Sequence, residues 1–126
     1  MGTSQQALNF IFDTGYDQTA VEITGCDNCG DTVFETGSST SFSYVIPLNS
    51  YTISFGYNTA SSITLTGTDA TDQICFTSLT NSCATNVPFV AVLSQENLDT
   101  EIDGIVGLSS GTDGLVTNLI MKYFTD

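Results

Sequence analysis

A chain of 126 residues, 40% hydrophobic and with eight Phe, is long enough to bury one core and too short for two. Lys122 is its only basic side chain against fourteen Asp and Glu, and the resulting net charge of −13 repels nucleic acid and anionic lipid. With no His and no Arg, the chain cannot build a Ser-His-Asp triad, a Cys-His pair, a His-ligated zinc site or an arginine finger. Carboxylates, hydroxyls, thiols and a single lysine are left to carry chemistry. A pI near 4.1 is compatible with work in an acidic compartment. No apolar run approaches the roughly 20 residues that span a bilayer.

Short apolar runs separated by Gly, Asn, Asp, Ser and Thr predict an all-β domain. The first residues, Met1-Gly-Thr-Ser-Gln-Gln, have no basic start and no apolar signal core. Strands are expected over residues 7–12 and 19–24, with Asp13-Thr14-Gly15 at the exit of the first. Residues 35–40 read as a surface loop. Strands at 42–46 and 51–57 come next, the latter placing Tyr51, Ile53 and Phe55 on one face. Two further strands, 62–66 and 74–78, are separated by a Thr- and Asp-rich run read as a solvated turn. Its Asp69 and Asp72 lack any recognised calcium-ligand spacing. A strand over 88–93 is apolar enough to be buried on both faces, and another is expected at 105–108. The chain then closes with a helix over 113–124, where Leu115, Val116, Leu119, Ile120 and Tyr123 share a face. Thr112 or Asp113 can cap its start, and Lys122 lies favourably near its carboxyl end.

Four cysteines form two close pairs, Cys26/Cys29 and Cys75/Cys83, in a Ser- and Thr-rich chain. An even count in such a composition suggests disulfides and an extracytoplasmic compartment. Of three possible connectivities, local pairing as Cys26–Cys29 and Cys75–Cys83 is preferred. Zinc held by four thiolates is the alternative, and the unmatched spacing of the second pair speaks against it. No metal or cofactor is expected.

The chemistry-bearing motif is Phe10-Ile-Phe-Asp-Thr-Gly15, an apolar strand running into an aspartate and two small turn residues. Taken alone it describes any strand-to-turn exit. Farther along, Ile102-Asp-Gly-Ile-Val-Gly-Leu108 supplies a second apolar-apolar-Gly element, within which Asp103 reads as support for a turn. Together and in this order, the two segments resemble those of pepsin-like aspartic proteases. Asp13-Thr14-Gly15 is similar to the family's catalytic triplet, and Ile105-Val106-Gly107 to the strand that passes beside it (its psi-loop). Cys26, Cys29, Phe34 and the Gly37-Ser-Ser-Thr-Ser-Phe42 stretch look like its cysteine loop and its Ser-Ser-Thr-Phe segment. Tyr51-Thr-Ile-Ser-Phe-Gly56 and Tyr57 sit where the family has its substrate-covering flap, and residues 113–124 resemble the helix that closes its first lobe.

The resemblance implies an all-β lobe, part of a double-psi barrel or sandwich with one carboxyl-terminal helix. It further implies an aspartic endopeptidase of which this chain supplies the amino-terminal lobe, in residues 1–126, shortened at both ends. Asp13 would be one of two catalytic aspartates, with Thr14 and Gly15 supporting it and Phe55, Gly56 and Tyr57 covering substrate. Asp-Thr-Gly occurs once, so the partners implied are a peptide or protein substrate and a missing second lobe, or a second copy as in retroviral proteases. The compartment implied is secreted or a lysosomal or vacuolar lumen.

Several positions depart from the family's pattern. Tyr16 replaces a small residue after Asp-Thr-Gly, Phe55 replaces the flap tyrosine, Ala20 replaces a supporting tryptophan, and Tyr57-Asn58-Thr59 replaces a Gly-rich tip. They leave open a non-catalytic peptide-binding module of the same fold. An unrelated β-sandwich, with Asp13 a plain turn residue, is the remaining alternative.

Overall fold

A computed structural model describes residues 1–56, 62–75 and 83–109. The helix expected over 113–124 lies outside these residues, as do Tyr57 and the end of the strand expected over 74–78. Within them the chain is mainly β: β1 (Phe10–Asp13), β2 (Ala20–Asp27), β3 (Ser43–Tyr44), β4 (Ser50–Phe55), β5 (Ile63–Cys75), β6 (Cys83–Glu96) and β7 (Gly104–Gly107). One short 3-10 turn, Thr36–Ser38, interrupts the loop between β2 and β3.

The strands form one open mixed sheet in the order β1-β7-β2-β6-β5-β3, with β4 pairing β5 beside that path. β7 therefore inserts between β1 and β2, parallel to the first and antiparallel to the second. Backbones can approach so closely here because glycines bracket β7. A Cβ on Gly104 would lie 2.3 Å from the Ala20 carbonyl oxygen, and one on Gly107 would lie 2.5 Å from that of Gln18. Between them, Ile105 and Val106 point to opposite faces and enter different apolar clusters.

Both faces of the sheet are covered. One cluster gathers Val21, Ile23, Ala70, Val87, Phe89 and Val106 beneath Met1 and Phe34. The other gathers Ala20, Ile53, Leu65, Val90, Val92 and Ile105 beneath Leu98. Alternate residues of β2 and β6 divide between the two, which explains why Phe89, Val90, Ala91 and Val92 are all buried. Each large apolar side chain buried this way contributes roughly 1.5–3 kcal/mol.

The region around Asp69 and Asp72 differs from the sequence expectation. It is no solvated turn but the middle of the 13-residue strand β5, paired with β6 along one edge and with β3 and β4 along the other. Asp72 is only 1% exposed. Its Oδ1 accepts hydrogen bonds from the hydroxyls of Ser39 and Ser41 and from the Gln73 amide. The 35–40 loop is therefore more than surface. It delivers hydroxyls to a buried carboxylate, and it is held by Gln6, whose side chain exchanges hydrogen bonds with the backbone of Glu35.

The four cysteines pair locally, Cys26 with Cys29 and Cys75 with Cys83. Cys75 and Cys83 also face each other across the β5–β6 register. Among the described residues, no helix is long and apolar enough to cross a membrane.

Candidate active site

Among the described residues β1 is an edge strand, held in parallel register by β7, with Asp13 opposite Gly107. Its side chains are correspondingly open: Ile11 is 39% and Phe12 57% exposed. Asp13 ends the strand and turns back on itself, because the Gly15 amide donates to its Oδ1 at 2.9 Å. A Cβ at residue 15 would make only ordinary contact with that oxygen, 3.4 Å away.

Backbone hydrogen bonds fix this turn to the chain leaving β7. The Leu108 amide donates to the Asp13 carbonyl at 2.8 Å, and the Ser109 amide to the Tyr16 carbonyl at 2.9 Å. The other end of β1 is anchored through Asp103, which is 1% exposed. Its Oδ2 accepts from the Asn9 amide at 2.7 Å, while its own amide donates to the Asn9 carbonyl at 2.8 Å. Asp103 thus clamps the approach to β1 and does not support a local turn. The sequence signal for this role was the Asp-Gly pair at the start of β7, but its partner lies 94 residues away.

A third carboxylate lies deeper. Glu22 is fully buried in β2, with Oε2 accepting from the Gly30 amide at 3.2 Å and Oε1 without a hydrogen-bond partner. Burial pushes its pKa above the ordinary glutamate value; the Gly30 hydrogen bond opposes this, and the charge of Asp103 adds to it. Sequence reasoning missed Glu22 because a glutamate inside an apolar strand reads as one outward-facing position.

Of the remaining expected residues, the 105–107 segment lies beside this turn, and Phe55 and Gly56 lie at the end of β4. Ile105, Val106 and Gly107 run alongside β1. Phe55 ends β4 opposite Ile63, and Gly56 comes next with φ of 122°, a conformation suited to glycine. Tyr16 packs against the cluster containing Ala20 and Ile53, and its hydroxyl donates to Gln18 Oε1 at 3.1 Å. Burial, with a contribution from Asp17, raises its pKa. Beside it, Tyr51 donates to Asp69; burial first and this hydrogen bond second push the Tyr51 phenol far up. Among the described residues, no three acidic or cysteine side chains converge to hold a metal ion.

The arrangement offers one carboxylate at an open sheet edge, oriented by a backbone N–H and flanked by exposed apolar side chains. Such a group can exchange a proton with water or substrate, provided another group completes the site. Comparison with protein families gives a match to the family described as eukaryotic aspartyl protease, over residues 1–123. No curated protein matches the chain.

Proposed function

The chain belongs to the eukaryotic aspartyl protease family, and from that premise we propose that it is the amino-terminal lobe of an aspartic endopeptidase, with Asp13 as one of two catalytic carboxylates. The observation that carries this reading is Asp13 itself, at the end of an open edge strand, its Oδ1 held by the Gly15 amide and its backbone beside Gly107.

The chemistry requires a second aspartate. Two carboxyl groups about 3 Å apart cannot both ionise, so they share one proton. The ionised member removes a proton from water as the water oxygen bonds to the peptide carbonyl carbon. The protonated member gives its proton to the carbonyl oxygen. The tetrahedral gem-diol then collapses: one hydroxyl returns its proton to the dyad as the C–N bond breaks, and the leaving nitrogen takes the proton that came from water, which leaves the dyad with its single shared proton. Gly15 holds Asp13 in place by hydrogen-bonding its carboxylate, Thr14 reaches toward the opposing lobe, and Phe55, Gly56 and Tyr57 cover the substrate. Asp-Thr-Gly occurs once in these 126 residues, so the second carboxylate comes from another lobe. Ile11 and Phe12 offer apolar surface near that junction. Two disulfides favour a secreted setting or a lysosomal or vacuolar lumen.

A second reading, a peptide-binding module without catalysis, is favoured by Tyr16. A small hydroxyl residue usual after Asp-Thr-Gly is replaced by a phenol engaged with Gln18. Cleavage of a mixed peptide library from acidic to neutral pH, by the chain and by Asp13→Asn, tests the proposal. The isolated lobe is expected to cleave little or nothing. Cleavage abolished by Asp13→Asn would instead mean that two copies assemble the dyad.

A further inference from the structure

A cavity of about 460 Å³ is bounded by Gln18, Thr19, Val45, Tyr51, Asp69 and Phe89. Its chemistry is asymmetric. Val45 and Val90, the latter directly opposite Asp69 across the β5–β6 pairing, make its apolar side, while Asp69 presents an exposed carboxylate whose Oδ1 accepts from the Tyr51 hydroxyl. Thr19, only 2% exposed, carries an Oγ1 with no hydrogen-bond partner. No described side chain can neutralise Asp69, because the chain's single basic side chain, Lys122, lies outside the described residues.

We propose that this cavity is a specificity subsite for a lysine side chain of the peptide substrate, with Asp69 as the counter-ion of its ammonium; the proposal rests on the peptidase reading above. A four-carbon stem can lie along Val45 while its charged end reaches the carboxylate. Lysine suits the site better than arginine. Tyr51 already occupies one oxygen of Asp69, which leaves a point contact and not the two-oxygen face that a guanidinium grips. Partial shielding by the apolar wall strengthens the pairing relative to open water.

The cavity is also within reach of the proposed catalytic group. Asp13 pairs with Gly107, and the Gln18 backbone packs directly on Gly107, its oxygen 2.5 Å from where a Cβ there would stand.

The test is direct binding to the full chain, measured by NMR titration, of a capped tripeptide ending in lysine and of its norleucine and arginine counterparts. Lysine is expected to bind at least tenfold more tightly than norleucine, the scale of one charge-assisted contact, and more tightly than arginine. Asp69→Asn should abolish that preference, whereas Asp31→Asn, an exposed carboxylate elsewhere, should leave it. Should Asp69→Asn fail to fold, Val45→Trp decides. Val45 is 44% exposed, so the larger ring is tolerated while filling the cavity, and lysine binding should be lost. Equal affinity for lysine and norleucine, an unchanged Asp69→Asn, an equal loss in Asp31→Asn, or full lysine binding by Val45→Trp would each overturn the proposal. Binding needs no turnover, so lysine-selective binding without cleavage in any assembly would count against the peptidase reading alone.

Discussion

Replacing Gly107 by Ala is expected to damage the fold next to the candidate site. The added Cβ would stand 2.5 Å from the Gln18 oxygen, 2.7 Å from the Asp17 carbonyl carbon and 2.8 Å from the Gln18 nitrogen. All three are backbone atoms, so no rotamer change relieves the clash. The shortest contact is about 0.9 Å inside the 3.4 Å at which ordinary contact begins, and β7 must move away from residues 17–18 by a similar amount. Strain of this kind costs about 1–3 kcal/mol. For a domain of this size that lowers the melting temperature by roughly 4–12 °C. Gly37→Ala is the control, because nothing lies within 4 Å of a Cβ at that position. It should stay within about 0.5 kcal/mol of the parent. Thermal unfolding monitored by circular dichroism measures both. If Gly107→Ala melts with the parent, β7 is not wedged between β1 and residues 17–18, and the positioning of Asp13 argued from it fails.

Two further outcomes concern stability. Because the folded-state pKa of Glu22 is raised, folding favours its protonated form; stability is fully present below the unfolded value and is lost as pH rises through the folded one. Glu22→Gln keeps an acceptor for the Gly30 amide and removes the titration, so its unfolding temperature should vary less than the parent's between acidic and neutral pH. An identical pH dependence in the two proteins would refute this. The Cys75–Cys83 bond closes a short loop with a sequence separation of 8. On chain-entropy grounds, replacing both cysteines with Ser should cost about 2.5 kcal/mol in denaturant unfolding, and no measurable loss would contradict a closed bridge.

The sequence carried the β class and the local cysteine pairing, because each has a local signature, whereas the placement of the 105–107 segment beside Asp13 was implied by the family resemblance. Apolar strands, spacing and paired glycines can all be read along the chain. What escaped was polar material inside the sheet. Residues 66–72, rich in Thr, Gly and Asp, look like a turn, yet they lie mid-strand, where hydroxyls from Ser39 and Ser41 donate to Asp72 Oδ1 and Gly67 admits the Ala91 carbonyl. Glu22 and Asp103 are similar cases. Each is buried against a backbone amide outside its own strand or turn, and no periodicity announces such a partner. The turn around Asp13 was legible as a motif, whereas its clamp to Asn9 required the fold.

If Asp13 is one half of a catalytic pair, its other half comes from a second lobe. The most direct test joins this chain in one polypeptide to a second lobe carrying its own Asp-Thr-Gly, and measures peptide cleavage with and without Asp13→Asn. Cleavage at acidic pH that disappears with Asp13→Asn is the predicted result. Cleavage that survives the substitution, or a correctly folded two-lobed protein that cleaves nothing, would contradict the account.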